Sequence, residues 1–380
     1  MKQKAYILSS NIISSLGFTS EENFQNLKNN ISGIDLVDNQ AYSPTSFYSS
    51  CINKAKIVNQ FEAIAKTEQF TMIEKALIIS CKDALSKTEV DPSNEKTIFI
   101  FSTTKGNIEL LGKNNNFGKN RLFLWEMANV VNSFFKNPNK PIIISNACVS
   151  GSLAILTAQR LLATDSYKNI IVIGGDLISE FVLSGFQSFK AISSFPCRPF
   201  DEERDGINLG EAAATIIISS NKRVSDNIVI AGGSTSNDAN HISGPSRTGD
   251  GLSLSIEKSI KIAKIAKDDI AFISAHGTAT VYNDEMEAKA FELAGIEKCL
   301  INSFKGYWGH TLGAAGIVET IATYYSMINN LYIGSKGFSN IGVSVPVNIL
   351  PENKSSILDT CLKTASGFGG CNASLILQKT

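Results

Sequence analysis

The chain is predicted to fold as an α/β protein made of two similar halves, and three observations lead there. β-like apolar runs alternate with helically spaced ones along all 380 residues. The segment LGEAAATIIISS at 209–220 resembles FGGCNASLILQK at 368–379, each leading from a glycine turn through small residues into an apolar strand. PIIISNACVSGSLAILTAQRLL likewise parallels KCLINSFKGYWGHTLGAAGIVETIATYYSM, since each runs strand, turn, small-residue helix start, apolar helix.

Taken in order, AYILS reads as a strand, SEENFQNLKN as a helix, 68–87 as a helix, TIFIFS (97–102) as a strand and 123–135 as a helix. The run 142–144 reads as a short buried strand ahead of an apolar helix. There follow strands IIVIGG (170–175) and ATIIIS (214–219), a helix near 252–266, and strands in DIAFISAHG and KCLINS. The polar stretch NKRVSDN (221–227) is the best boundary, giving halves 1–220 and 221–380. LGAAGIVETIA is too rich in Ala, Gly and Ile to face water, so the two cores are expected to pack together.

Composition excludes several partner classes. Lys plus Arg equals Asp plus Glu at 35 each, so no global field recruits nucleic acid or an anionic membrane. The start, MKQKAYILSSNIISSLG, imitates a signal peptide, but Ser9, Ser10 and Asn11 break its apolar run and no A-x-A site follows. No apolar run approaches the 18 or so residues of a membrane helix, so no membrane span is expected. The seven cysteines form no CxxC pair, which fits reduced thiols in a cytoplasmic protein.

NACVSGS (146–152) places Cys148 at a strand-to-helix elbow, where free backbone N–H groups and the helix dipole favour the thiolate. The same placement also suits a small buried core residue. Of the three histidines, His276 (FISAHGTAT) and His310 (SFKGYWGHTLGAAG) sit in strand-end loops, and His241 (NDANHISGP) in a polar loop. Zinc sites usually carry a closely spaced ligand pair, and none exists among these residues, so no metal is expected. A cysteine with two histidines suits acyl chemistry, with the thiolate attacking a thioester and imidazole N–H groups meeting an oxyanion or enolate. Each histidine alone fits a structural role better, and the case for chemistry rests on several such elements occurring together in order.

Five motifs in order carry a resemblance: NACVSGS, PFDEERDGINLGEAA (199–213), SAHGTATVYNDEMEA (274–288), NSFKGYWGHTLGAAGIVE (302–319) and SGFGGCNASLIL (366–377). Together they resemble β-ketoacyl-acyl-carrier-protein synthases, nearest the KAS II type with a Cys-His-His site. The resemblance implies a thiolase-like five-layer α-β-α-β-α fold. The N-terminal half would then hold the nucleophile and an acyl-pocket cap, and the C-terminal half both histidines. It implies an acyltransferase that performs decarboxylative Claisen condensation in fatty-acid, aryl-polyene or polyketide-like synthesis. It further implies no bound cofactor, since acyl and malonyl thioesters arrive on the phosphopantetheine of acyl carrier protein. The assembly implied is a homodimer, or a heterodimer with a related synthase or chain-length factor.

Residue by residue, the resemblance implies that Cys148 takes the acyl chain. The N–H groups of Cys148 and Phe368 would form the oxyanion hole, with Phe368 also gating the pocket. His276 and His310 would stabilise the enolate, and Lys305 would balance charge with Glu287 or Glu319. Thr278 and Thr280 would bind the pantetheine arm or act as local caps, and Lys105 would fall in the segment lining the acyl pocket. Asp201, Arg204 and Asp205 would form a buried charge network bracing the elbow. Lys54, Lys56 and Lys66 are candidates for meeting an acidic carrier.

Departures from the family pattern are Cys371 in GFGGCN, Ser366 where phenylalanine is common, GEAA for GEGA, Lys105 near a usually apolar position, and a shortened stretch between about 40 and 125. Two other readings remain at this level: a non-catalytic chain-length-factor-like subunit, which the intact nucleophile opposes, and a thiolase acting on CoA esters. Thiolases pair one histidine with a second cysteine, so Cys371 bears on the latter.

Overall fold

A computed structural model describes residues 4–113, 115–222, 227–239 and 244–380. Ten strands make its main sheet: β1 (Tyr6–Ile13), β2 (Thr97–Ser102), β3 (Ile142–Ile144), β4 (Asn169–Asp176), β5 (Ala212–Ser219), β6 (Ile228–Asn237), β7 (Phe272–Ser274), β8 (Leu300–Asn302), β9 (Thr360–Gly367) and β10 (Cys371–Lys379). Their order is β8-β7-β9-β10-β6-β1-β5-β4-β2-β3. The first five strands, read from β3 to β1, and the last five, read from β8 to β6, share one order. They also share one pattern of two parallel pairs followed by two antiparallel pairs. The groups join where Tyr6 pairs with Val229 and Ile230 N donates to the Ala5 carbonyl at 2.9 Å. The internal repeat of the sequence is therefore a structural repeat.

Six helices fix the layers: α1 (Met72–Ser86), α2 (Ser150–Ala163), α3 (Glu180–Ser188), α4 (Asp250–Ala263), α5 (Val281–Ala294) and α6 (Ala315–Asn329). The helix α1 covers the outer face of the first group, and α4 with α5 covers the outer face of the second. Between the two groups lie α2 and α6, each touching strands of both. Twelve of the fifteen residues of α6 are buried, as its lack of a polar face requires. Glycines let the two inner helices approach: a Cβ on Gly316 would come within 2.3 Å of Ser152 N, and one on Gly151 within 2.9 Å of Ile317 N. That contact brings the start of one helix, with Cys148, beside the loop that leads into the other, with His310.

Several expectations change. The strand 142–144 is half-buried rather than buried, because it is the sheet's edge and has a neighbour on one side only. The predicted helix from 68 begins at Met72. Thr71 caps it in a box with Glu74, and a separate 3-10 turn covers Thr67–Gln69. The helix expected to 266 stops at Ala263, where Lys264 takes a left-handed φ of 58°. Short strands Asp35–Val37, Phe47–Ser50 and Leu209–Gly210 form a small sheet that no periodicity announces. Residues 223–226, inside the expected boundary, and His241 lie outside the described residues. Among the described residues no helix is long and apolar enough to cross a membrane.

Candidate active site

Cys148 stands two residues before α2, at an elbow whose preceding residue, Ala147, has a φ of 44°. A non-glycine residue in that region is strained, and here local bonds hold it. Ser150 Oγ accepts from Asn146 N at 2.8 Å and donates to the Ala147 carbonyl at 2.7 Å. Cys148 is 8% exposed. Burial pushes its thiol up to about 11, while the Lys305 charge and the Phe368 N–H pull the other way. Burial therefore works against the thiolate that the elbow's dipoles favour.

His276 follows β7 in a loop whose backbone is held by two carboxylates of α5. Glu287 accepts from His276 N at 2.8 Å and Gly277 N at 2.6 Å, and Asp284 accepts from Thr278 N at 2.9 Å. Spaced three apart, the two acids share one helix face, so one rigid element sets the loop. His310 follows the helical turn Lys305–Trp308. Gly309, at φ 64°, lies so near Asn208 and Leu209 that a Cβ would meet their carbonyl oxygens at 2.8 Å. The His310 backbone donates to Asn208 O at 2.7 Å and accepts from Gly210 N at 3.0 Å.

Both rings have defined proton positions. His310 Nδ1 accepts from Leu312 N at 3.2 Å, which puts the ring proton on Nε2, a buried atom with no hydrogen-bond partner. Lys305 Nζ lies 3.2 Å from His276 Nδ1 and also donates to the His276 carbonyl, so the His276 proton is placed on Nε2 as well. Burial, followed by the charge of Lys305, holds both imidazoles well below the usual histidine range. The rings stand nearly perpendicular, 83° apart with centroids at 5.1 Å. Single ligand atoms of Cys148, His276 and His310 all lie within 4.8 Å of one another. A metal ion in this triangle would sit against the cationic Lys305, whereas a developing oxyanion would be stabilised by it.

Behind the histidines, Lys305 Nζ pairs with Glu319 Oε1 at 2.7 Å, and Lys363 Nζ with Glu319 Oε2 at 2.7 Å. Glu319 is thus the direct partner of Lys305, while Glu287 serves the His276 loop. Lys363 escaped sequence reasoning. Its one legible sign is a lysine inside the otherwise apolar and small-residue strand TCLKTASG. Asp176 was also missed. Buried at the end of β4, it accepts from Thr103 Oγ1 at 2.8 Å, Thr104 N at 2.9 Å and Gly313 N at 2.7 Å, tying both halves behind the site.

A cavity of about 400 Å³ opens onto Cys148, His276, His310, Thr278, Thr280 and Phe368. Phe368 stacks on Phe186 at 5.9 Å and lies 5.6 Å from Phe189, so an aromatic cluster forms one wall. Thr278 and Thr280 both line the cavity and hydrogen-bond each other at 2.9 Å, and Thr280 also caps α5.

The region 6–223 matches the model of the β-ketoacyl synthase N-terminal domain, and 228–336 that of the C-terminal domain. The chain belongs to the β-ketoacyl synthase family. It is 30% identical over 262 residues to 3-oxoacyl-[acyl-carrier-protein] synthase 2 of Vibrio cholerae, covering 64% of this chain and 63% of that protein. The match to the Rhizobium meliloti protein of the same description is 30% over 267 residues, 64% and 61% of the two chains. These alignments span less than two thirds of the relatives' length. Among solved structures, one chain of a ketosynthase–chain length factor complex from Xenorhabdus doucetiae superposes with a TM-score of 0.88 at 23% identity, covering 100% of this chain and 98% of that one. A β-ketoacyl synthase from Burkholderia phymatum gives 0.88 at 22% identity, with both chains covered fully. The five-layer arrangement is the thiolase-like fold of these ketosynthases.

Within this member of the family, four sequence expectations are corrected. Lys105 does not reach the cavity: its side chain is exposed, and its backbone N–H donates to Asp176 Oδ1 at 3.2 Å. Asp205 is exposed and bonds Ser193 and Ser194 N rather than joining a buried network. Asp201 and Arg204 are buried, but Arg204 faces Asp284 at 4.0 Å and so braces the His276 loop, not the cysteine elbow. Lys54 is not free, because it pairs with the buried Glu211 at 3.1 Å and with Tyr42. Lys56 and Lys66 are exposed. Cys371 lies off the cavity, with Sγ 3.0 Å from Asn237 Oδ1.

Proposed function

We propose that this chain catalyses decarboxylative Claisen condensation between an acyl group carried on Cys148 and a malonyl thioester, both delivered on the phosphopantetheine of an acyl carrier protein. The observation that carries this reading is the convergence of one nucleophilic sulfur and two neutral imidazoles on a single apolar cavity. Cys148 sulfur, once deprotonated, attacks the incoming thioester carbonyl. The C–S bond to the carrier breaks, and the carrier thiol leaves with the proton. The Cys148 and Phe368 N–H groups would hold the oxyanion of that step.

In the second half-reaction the malonyl carbonyl oxygen accepts from the Nε2–H groups of His276 and His310. When the bond to the carboxylate breaks, CO₂ departs and the electron pair becomes an enolate on that oxygen. The enolate carbon then attacks the acyl carbonyl on Cys148 and expels the cysteine sulfur, leaving a β-ketoacyl carrier protein. Donors fixed before the charge exists stabilise the enolate more than the substrate, which is the requirement for rate enhancement. Burial, with Lys305, keeps both rings neutral, and Glu319 keeps Lys305 in place. Thr278 and Thr280, at the mouth, would bind the arm, and Phe368 would gate the acyl pocket.

A non-catalytic subunit is disfavoured because the nucleophile, both histidines and Lys305 are present together. Thiolase chemistry is disfavoured because Cys371 does not line the cavity. The partners proposed are an acyl carrier protein and a second subunit, either another copy or a chain-length factor, joined along β3, whose three residues are half-buried at an open sheet edge. A chain length factor is named with two structural neighbours, and an acyl-carrier protein with a type II polyketide ketosynthase among the others. The two proposed halves meet near residue 220.

The test is intact-protein mass spectrometry after incubation with a panel of acyl-carrier proteins, wild type beside Cys148→Ala. An acyl mass on the wild type alone is expected, and its size identifies the preferred chain. No adduct from any donor on folded protein would move the reading to the partner-subunit class.

A further inference from the structure

We propose that Lys363 is a second cationic positioning residue of the condensing site, holding the far oxygen of Glu319 so that Lys305 can set His276 as a neutral Nε2–H donor. The inference rests on the function proposed above. Lys363 enters from β9, is fully buried, and pairs with Glu319 Oε2 at 2.7 Å while donating to the Thr364 carbonyl. Lys305 takes Glu319 Oε1 at 2.7 Å from the opposite side. One carboxylate is therefore clamped at both oxygens by two ammonium groups. A buried lysine is costly unless it is paired, and removing one member of a buried ion cluster leaves its partner uncompensated.

The consequence for His276 follows from what faces it. Lys305 comes from the turn after β8, Glu319 from α6, Glu287 from α5 and Lys363 from β9, with His310 and Cys148 across the cavity. Two cations thus balance two carboxylates around a ring that carries no charge itself. With Lys363 absent, Glu319 would keep a full negative charge with one partner only. That charge would draw Lys305 towards itself and favour a proton on His276. The positive charges of Lys305 and Lys363 both act to keep the ring neutral, after burial. A protonated His276 would donate from both nitrogens and lose its fixed tautomer.

The test compares wild type with Lys363→Gln, which keeps a polar side chain and deletes the charge, and with Lys363→Arg, which keeps the charge. The readouts are ¹⁵N NMR of labelled histidines, the pH profile of CO₂ release from malonyl-carrier protein, and acyl loading of Cys148 at pH 8. In the wild type the His276 ring is expected to stay neutral, with its proton on Nε2, well below the ordinary midpoint of about 6.5. In Lys363→Gln the ring titration and the acid limb of CO₂ release should move up by about one pH unit. That lowers release near the limb by about tenfold, while acyl loading stays within about twofold. Lys363→Arg should keep the wild-type profile.

A folded Lys363→Gln with an unmoved limb would overturn the assignment, as would an Arg variant displaced as far as Gln, since packing rather than charge would then be at work. If Lys363→Gln does not fold, a wild-type His276 that titrates near the ordinary value overturns it alone. Failure of the parent reading looks different: the wild type would neither load an acyl group nor release CO₂, and the ring titration would still report on Lys363.

Discussion

Gly316 of the second inner helix lies against Gly151 of the first, so that a Cβ on Gly316 would meet the Gly151 carbonyl carbon at 2.8 Å and Ser152 N at 2.3 Å. The helix that starts beside the nucleophile and the helix that carries Glu319 are thereby fixed to each other backbone to backbone. The Ser152 hydroxyl at 2.6 Å could rotate away, but the two backbone atoms cannot. Gly316→Val is expected to destabilise the protein by about 2 kcal/mol or more, because overpacking forces the backbones apart. It should also slow acyl loading, since the elbow moves with its helix. Gly185, where a Cβ meets nothing within 4 Å, is the control, and Gly185→Ala should leave stability unchanged or slightly raised. Denaturant midpoints of the three proteins decide it, and equal midpoints would refute the close-approach argument.

His310 should separate the two half-reactions. Its Nδ1 is occupied by the Leu312 N–H, and its Nε2 is buried and unpartnered, pointing to a ligand oxygen that arrives with substrate. His310→Ala is expected to cut CO₂ release from malonyl-carrier protein by about 10²–10³, the loss typical of one oxyanion donor. Acyl loading of Cys148 should fall far less, because the Cys148 and Phe368 N–H groups survive. Parallel measurement of CO₂ and of the acyl-enzyme mass tests this. Equal losses would mean that the ring mainly supports the loop.

Much of this was legible because it is local. Strand periodicity marks TIFIFS, and its bounds coincide with those of β2. The small-residue starts of α2 and α6 give away two buried helices, and the repeat of turn and strand gives the twofold architecture. The Cys-His-His set is legible because each member sits in a glycine-bearing turn after an apolar run. What the sequence hides is pairing across distance. Nothing local tells that Lys363 and Lys305, 58 positions apart, share one carboxylate, or that Arg204 serves Asp284 instead of the cysteine elbow. The pull of burial on the Cys148 thiol is hidden for the same reason. The helix dipole can be read from a motif, whereas the depth of burial depends on the whole fold.

Alkylation should reveal that thiol directly. With its midpoint pushed up to about 11 by burial, Cys148 carries little thiolate near neutrality, and the thiolate is the reactive form. The rate of iodoacetamide modification at Cys148, taken as wild type minus Cys148→Ala, should therefore rise about tenfold per pH unit from 7 to 10 without a plateau. A plateau beginning at or below pH 8.5 would restore the thiolate assigned from the elbow alone.

Asp284 provides a pH signature in the stability of the His276 loop. Fully buried, it accepts from Phe200 N at 2.7 Å and Thr278 N at 2.9 Å, and burial is the largest influence that raises its pKa from 3.8 to about 6. A carboxyl whose folded pKa lies above its unfolded value binds more protons folded than unfolded. Its contribution to stability is therefore complete below about 3.8 and is lost as pH rises through about 6. Other acids titrate in the same range, so the comparison is with Asp284→Asn, which cannot ionise. The variant's lost hydrogen bonds add an offset that does not depend on pH. The free-energy gap between the two proteins should shift in favour of the wild type as pH falls from about 6 to about 4, by about 2 kcal/mol. Urea midpoints at four pH values across that window measure it. Parallel curves would show that Arg204, 4.0 Å away, keeps Asp284 ionised despite its burial.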